Sequence, residues 1–207
     1  MYGLLFTFDL DSNSKDLSAA FNTIDHDVLL EILTERFGVQ NFELDWFWSY
    51  HTWRTQIFTT PSGSSTPVAL TCSVLQDSVI GPKEFIMYTK DIKETIDRFI
   101  INHHLYADDS QLLAQMKINA VTEHHQRLET CVESLWDWCS SWRLRLNPDK
   151  TKLIMFGSRA NLAKLRQLDL MSLNLCLIAV EPVDSVRDLS VILESELSMW
   201  VYVSKIS

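Results

Sequence analysis

The chain has 207 residues, of which 46% are hydrophobic and 22% are charged, so its composition predicts a globular rather than a disordered protein. Its formal net charge is −9, with 18 Lys and Arg against 27 Asp and Glu, which argues against strong independent binding to DNA or RNA. No apolar run is long enough to cross a bilayer and no signal peptide is visible, so we expect an intracellular protein, nuclear or cytoplasmic, without a membrane segment.

The elements predicted for the first half of the chain alternate between strands and helices. In chain order they are a strand over 4–8, a polar loop over 9–15, a helix over 28–36, an aromatic-rich helix over 42–50, and strands over 55–60 and 66–74 joined by a turn. Asp25 or Asp27 can cap the first helix, and Gly38 can end it. The aromatic rings of the second helix predict packing in the core, because large rings bury much apolar surface.

The second half predicts the same mixture of elements. They are a helix starting at Pro82, strands over 102–106 and 111–113, a long helix over 120–142, strands over 144–146 and 152–156, and a further hairpin from 173–180 and 186–193. Together they predict an α+β fold, an antiparallel sheet with helices packed on one face. Cys131 and Cys139 lie about 12 Å apart along one helix, too far to share a zinc ion or a disulfide, so we expect reduced core thiols.

Two adjacent aspartates, Asp108 and Asp109, form a tight acidic turn between two of these strands. Carboxylate oxygens on such a turn can collect a hard cation such as magnesium, although an ordinary acidic hairpin has the same appearance. A two-metal site for phosphoryl transfer needs carboxylates from a second segment as well. The candidates for that second segment are Asp9, Asp11, Asp16 and Asp25.

Five segments, in the expected order, resemble the motifs of reverse transcriptases of non-LTR (LINE-type) retrotransposons. They are 16–26 (DLSAAFNTIDH), 74–82 (VLQDSVIGP), 106–109 (YADD), 146–152 (LNPDKTK) and 186–191 (VRDLSV). The resemblance covers nearly the whole chain. It implies a polymerase palm-like fold with partial fingers over 1–157, followed over 158–207 by an incomplete connector hairpin toward the thumb.

The resemblance also implies which residues carry the chemistry. Asp16, Asp108 and Asp109 match the aspartates that bind two Mg²⁺ ions for nucleotidyl transfer. Lys150 matches a lysine near the departing phosphates, where it can act as a general acid. The implied activity is RNA-directed DNA polymerisation.

Three further residues match positions that contact the incoming nucleotide. Phe21 matches the aromatic ring under the sugar, which would clash with a 2′-hydroxyl. Gln76 and Ser78 fall in the loop that contacts the nucleotide and the template. The implied partners are an RNA template, a DNA primer and deoxynucleoside triphosphates, whereas the oligomeric state is left open.

Several positions depart from the family pattern. Leu75 and Asp77 replace a proline and a glycine in the nucleotide-contacting loop, and Asp77 adds a Cβ and a negative charge beside triphosphate. Lys83 and Glu84 replace apolar residues of the following helix. The loop changes predict weaker nucleotide binding, and the helix changes place charges where the family keeps the helix buried.

The segment before Asp16 departs furthest. In the family an apolar strand runs directly into this aspartate, whereas 11–15 separate the two here. Asp9, which ends the apolar run, is therefore a geometric rival, although the motif after Asp16 stays in register with it. We expect Asp16 to take the first metal position.

Three functions follow as hypotheses. The chain is an active polymerase, or a retrotransposon remnant with weak or no activity as an isolated fragment, or a non-catalytic interaction module that reuses the palm fold. The second hypothesis follows from the departures and is the one we expect. The third would use aromatic side chains as contacts, with Trp46, Trp48, Trp136 and Trp200 as the candidates.

Overall fold

The protein is described by a computed structural model that covers residues 2–11, 24–74, 78–106, 109–147, 150–167, 172–175, 178–188, 191–198 and 203. The chain divides into two units. The first comprises Met1–Leu10, Ile92–Cys139 and Leu146–Ser207, and the second comprises Asp11–Asp91 and Ser140–Arg145. No helix within the described ranges is long and apolar enough to cross a membrane. The predicted division at residue 157 stays a prediction.

Helices and strands alternate along the chain. In order they are β1 (Tyr2–Asp11), α1 (His26–Phe37), α2 (Asn41–His51), β2 (Thr55–Gln56), β3 (Thr59–Thr60), β4 (Gly63–Ser64), β5 (Val68–Ala69), α3 (Gly81–Tyr88), α4 (Ile92–Asp97), β6 (Asn102–Tyr106), β7 (Asp109–Met116), a short 3-10 helix (Ile118–Ala120), α5 (Val121–Ser141), β8 (Arg145–Leu146), β9 (Lys152–Phe156), α6 (Arg159–Gln167), β10 (Leu173–Leu175), β11 (Ile178–Val180), β12 (Ser185–Asp188) and β13 (Val191–Glu194). This mixture of helices and antiparallel strands confirms the predicted α+β class.

The first unit is built on a sheet with strand order β6-β7-β1-β8, in which β9 also pairs with β1. β1 runs antiparallel to both β7 and β9. Its side chains from Leu4 to Phe6 are buried in succession, so apolar neighbours cover both faces of the strand. β1 continues to Asp11, so the predicted polar loop was wrong over 9–11, where ladder pairing, with Asp109 opposite Asp9, outweighs the low strand propensity of aspartate. The remainder of that predicted loop, 12–15, lies outside the described residues.

The long helix α5 packs one face into the core of this unit. Its buried residues recur at three- and four-residue intervals and are Val121, His125, Leu128, Cys131, Val132, Leu135 and Cys139. Cys131 and Cys139 are free thiols, as predicted.

The C-terminal part forms two separate hairpins, β10–β11 and β12–β13, rather than the single further hairpin expected. Leu5, Ile154 and Val186 form one buried cluster that ties β12 to the sheet.

The second unit contains α1, α2, the hairpin strands β2 to β5, and α3. The side chain of Asp25 caps α1 by accepting a hydrogen bond of 3.1 Å from the backbone N–H of Val28. Gly38 ends the helix with φ 66°, the left-handed conformation that favours glycine. Pro82 lies in the first turn of α3. These helix boundaries confirm the predicted caps and select Asp25 over Asp27.

The aromatic residues of α2 do not pack in the core, so that prediction was wrong. Phe42, Trp46 and Trp48 are 78%, 42% and 50% exposed, and His51 is the buried residue of this helix. Trp46, Phe47 and Trp48 are consecutive, and consecutive helical residues point about 100° apart, so one buried face cannot hold all three. An aromatic-rich surface results.

Candidate active site

The acidic turn lies where β6 and β7 meet. Tyr106 pairs with Asp109, so two residues, Ala107 and Asp108, connect the strands. This pairing confirms the two predicted strands on either side of the acidic pair, whereas the turn between them stays a prediction. Asp108 itself lies outside the described residues. Asp109 is half-buried at the first position of β7, and its neighbour Ser110 is buried.

The register of the sheet brings Asp9 opposite Asp109. β1 and β7 pair residue by residue from Tyr2 with Met116 to Asp9 with Asp109. Cα atoms of directly opposite residues in an antiparallel pair lie roughly 4.5–5.5 Å apart. The backbone of Asp9 is therefore adjacent to the acidic turn.

A second turn reaches the same end of the sheet. β9 begins at Lys152, which pairs with Thr7 of β1, two residues from Asp9. Lys150 lies two residues before Lys152, in a turn where the backbone N–H and the hydroxyl of Thr151 donate to the carbonyl oxygen of Asn147 at 3.0 and 2.6 Å. The antiparallel registers thus bring Asp109 and Lys152, which follows Lys150 by two residues, to the same end of the sheet.

In the second unit, Ser78 lies three residues before the first residue of α3. Its hydroxyl oxygen accepts a hydrogen bond of 2.8 Å from the backbone N–H of Gly81, which satisfies one of the free donors at the start of the helix. Ser78 therefore has a structural role that the sequence analysis did not include. The other predicted site residues of this unit, Asp16, Phe21 and Gln76, lie outside the described residues, as do the altered loop positions Leu75 and Asp77.

Glu84 is buried in the second unit, and it has a partner that the sequence did not reveal. The side chains of His51 and Glu84 are both 0% exposed, and His51 Nε2 and Glu84 Oε1 share a hydrogen bond of 2.8 Å. A buried carboxyl requires such a partner because an unpaired charge is costly in a low dielectric. The glutamate at an apolar position of the predicted helix was the only sequence signal, and nothing in it pointed to His51.

Asp25 links three segments of the same unit. Besides capping α1, its carboxylate pairs with the guanidinium of Arg143, and its backbone bridges to Cys72. Arg143 adopts φ 56° directly after Trp142, whose carbonyl oxygen accepts a hydrogen bond of 2.7 Å from the Tyr88 hydroxyl. The motif that contains Asp16 and Phe21 ends at this anchored point. Sequence reasoning identified the cap but not the ion pair.

A histidine beside this anchor has a shifted pKa. Burial lowers the pKa of His26 from its usual 6.5, while the hydrogen bond between its Nε2 and the Ser73 carbonyl oxygen acts in the opposite direction. The ring of His26 lies 4.7 Å from that of His51, centroid to centroid. Within the described ranges, no three His, Cys, Asp or Glu side chains are grouped so that they could hold a metal ion.

Comparison with known proteins agrees with these motifs. Residues 14–193 match the family model described as reverse transcriptase (RNA-dependent DNA polymerase). The chain is 28% identical, over 141 residues, to a probable RNA-directed DNA polymerase from transposon BS of Drosophila melanogaster. That alignment covers 66% of this chain and 15% of the relative.

A solved structure has a similar fold. The structure of telomerase from Candida albicans, in complex with a TWJ fragment of telomeric RNA, matches with a TM-score of 0.50 and 12% identity. The match covers 93% of this chain and 30% of that chain. At this identity the likeness concerns the fold, and it is consistent with a polymerase palm. The chain spans less than a third of either protein.

Proposed function

Because this chain belongs to the reverse transcriptase (RNA-dependent DNA polymerase) family, we propose that it is the palm of an RNA-directed DNA polymerase of the non-LTR retrotransposon type. Its substrates are deoxynucleoside triphosphates, which it adds to a DNA primer on an RNA template. The curated relative is a transposon RNA-directed DNA polymerase, and the telomerase neighbour was solved with RNA. Both names support a nucleic-acid template as the partner.

One observation carries the proposal. The registers of β1 with β7 and β9 bring Asp109 and Lys152, which belong to two of the family motifs, to the same end of the sheet, and Asp9 to the position opposite Asp109. A nucleotidyl-transfer site needs carboxylates from two segments and a group near the departing phosphates. This end of the sheet holds one aspartate from each of two strands, and Lys150 lies two residues before a third.

The donor set fits a hard divalent cation, because carboxylate oxygens are the ligands that Mg²⁺ prefers. Asp16, Asp108 and Asp109 would hold two Mg²⁺ ions, with Asp9 the alternative to Asp16. When bound, such ions stabilise the attacking and leaving oxygens of an in-line displacement.

The remaining chemistry is assigned to side chains of this chain. Lys150 gives a proton to the departing pyrophosphate from its Nζ, which neutralises charge on the leaving group. Gln76 and Ser78 orient the nucleotide on the template, and Phe21 excludes a ribonucleotide by contact with its 2′-hydroxyl. These roles follow from the motif positions.

Primer extension on an RNA template in the presence of Mg²⁺ tests the proposal. We expect weak extension by the unmodified chain, because of the altered nucleotide-contacting loop, and its complete loss in Asp108→Asn and Asp109→Asn. Equal extension by the unmodified chain and Asp108→Asn would exclude this site as its source. Asp9→Asn and Asp16→Asn, compared at equal protein concentration, identify the first metal position, because only the variant that removes a ligand abolishes extension.

The second candidate is a palm without catalysis. β1 ends as a strand at Asp11, five residues before Asp16, which favours a misplaced first carboxylate. A thermal shift on adding Mg²⁺, compared between the unmodified chain and Asp108→Asn, tests whether the carboxylates bind metal at all. If the shift is present without extension, the double reversion Leu75→Pro with Asp77→Gly should restore nucleotide incorporation. Failure of that reversion would support the non-catalytic palm.

A further inference from the structure

The hairpin formed by β2 to β5 is a continuous ribbon in the second unit. Leu70 N–H donates to the Arg54 carbonyl oxygen at 2.9 Å, and Ser65 N–H donates to the Phe58 carbonyl oxygen at 2.8 Å. The Ser65 hydroxyl oxygen in turn accepts from Phe58 N–H at 3.0 Å. The two arms therefore stay paired across the short interruption between β2 and β3.

Every residue from 55 to 69 is exposed. The exposed side chains include Ile57, Phe58 and Val68, and Trp53 beside the hairpin is 90% exposed. Two-stranded ribbons are marginally stable in water unless another surface packs on them. A ribbon with this much uncovered apolar surface indicates an interaction site.

The chemistry of the ribbon restricts its occupant. From 55 to 74 there is no Asp, Glu, Lys or Arg. Phosphate backbones are bound mainly by Lys and Arg, so this segment lacks the groups that hold nucleic acids. Strand edges without charged side chains instead favour the backbone of another extended strand.

The two edges of the ribbon are not equivalent. The arm over 55–60 contains no proline, so each of its residues has a backbone N–H. The returning arm contains Pro67, which has no N–H to donate to an added strand. In the described part of the chain, β2 and β3 pair only with the returning arm. The arm over 55–60 is therefore the edge that can accept a partner.

We propose that a second copy of this chain docks on this edge, with the two 55–60 arms antiparallel across a two-fold axis. Each copy has a net charge of −9 and repels the other. The uncharged hairpin is where this repulsion is weakest. The identical edge of the second copy supplies the complementary strand, and Pro67 on the outer arms stops addition at two copies.

Light scattering on the full chain over a range of concentrations tests the dimer. We expect the mass to double from 24.0 kDa as concentration rises, and the dimer to strengthen with salt, because screening removes repulsion between the copies. Ile57→Lys places a like charge in both arms and should weaken the dimer at least about tenfold. Ile86→Lys changes an isoleucine outside the hairpin that is 62% exposed, against 50% for Ile57, and should leave the dimer unchanged.

A monomer at every concentration, or equal weakening by both lysine variants, would overturn the proposal. So would a monomer that binds added single-stranded RNA in a manner lost in Ile57→Thr, since the occupant would then be nucleic acid. Thermal unfolding of each variant checks the fold. If Ile57→Lys lowers the midpoint of thermal unfolding, Ile57→Thr is used as the test variant instead, because threonine keeps strand propensity while removing apolar surface.

Discussion

The buried pair of His51 and Glu84 can be tested by replacing both residues with leucine. Each side chain is fully buried, and the two share one hydrogen bond of 2.8 Å. Their other polar atoms, His51 Nδ1 and Glu84 Oε2, have no hydrogen-bond partner among the described residues. The pair is therefore only half satisfied, and we expect a leucine pair to stabilise the second unit.

The expected change in unfolding free energy depends on which polar atoms each variant leaves buried without a partner. His51→Leu leaves the buried carboxyl without its partner, and Glu84→Leu does the same to the imidazole. Breaking a buried pair in this way costs about 3–5 kcal/mol of unfolding free energy. The double variant leaves no buried polar atom at either position, and such replacements are neutral or stabilising by about 1–4 kcal/mol. The coupling free energy between the two sites is therefore large.

Urea unfolding of the four proteins, followed by circular dichroism, measures this coupling. We expect the single variants to have lower midpoints and the double variant to match or exceed the unmodified chain, with an unchanged slope. His51→Gln with Glu84→Gln is the matched control, because it keeps polar groups in the same positions. A double leucine variant destabilised by the sum of the two single effects would refute the reasoning.

Three further predictions concern individual side chains. Gly38→Ala should lower the free energy of unfolding by about 1 kcal/mol, because residue 38 has a positive φ. Gly157→Ala should lower it less, because a Cβ at residue 157 meets only ordinary contacts. Equal losses of unfolding free energy in the two variants would contradict this. Burial lowers the pKa of His26, so the folded state binds a proton less readily than the unfolded state. The stabilisation from neutral His26 is complete above pH 6.5 and is lost as the pH falls through the lowered pKa of the folded state. Urea midpoints should therefore depend less on pH in His26→Gln than in the unmodified chain. An unchanged pH dependence would refute this assignment. Burial raises the pKa of Cys131 and of Cys139 to about 12, so a thiol reagent at neutral pH should label them only in urea, and rapid labelling of the folded chain would contradict the buried positions.

Local sequence signals predicted the helix ends and the turns well. Asp25 and Gly38 act on the backbone within a few residues, so cap and turn chemistry identifies them without knowledge of the fold. The missed helix, α6, has a buried face of only Leu162 and Leu165, too few apolar positions for a clear period. The core assignment of the aromatic helix failed because burial depends on what packs against a helix, and periodicity does not report that.

The candidate site was likewise predictable from the sequence only in part. Its residue types and motif order are visible in the sequence, including the acidic turn and the turn before Lys152. Only the strand registers show that Asp9 lies opposite Asp109 and that Asp109 and Lys152 reach the same end of the sheet. The pairing of His51 with Glu84 joins residues 33 positions apart.

The sequence by itself therefore determined the family and the α+β class, and it predicts which residues carry catalytic chemistry, because motifs and caps are short-range features. The tertiary structure alone decided which carboxylates are neighbours, which buried charge has a partner and which apolar surface stays exposed. Those outcomes depend on contacts between segments distant in the chain, and composition and period carry no information about the distance between such segments.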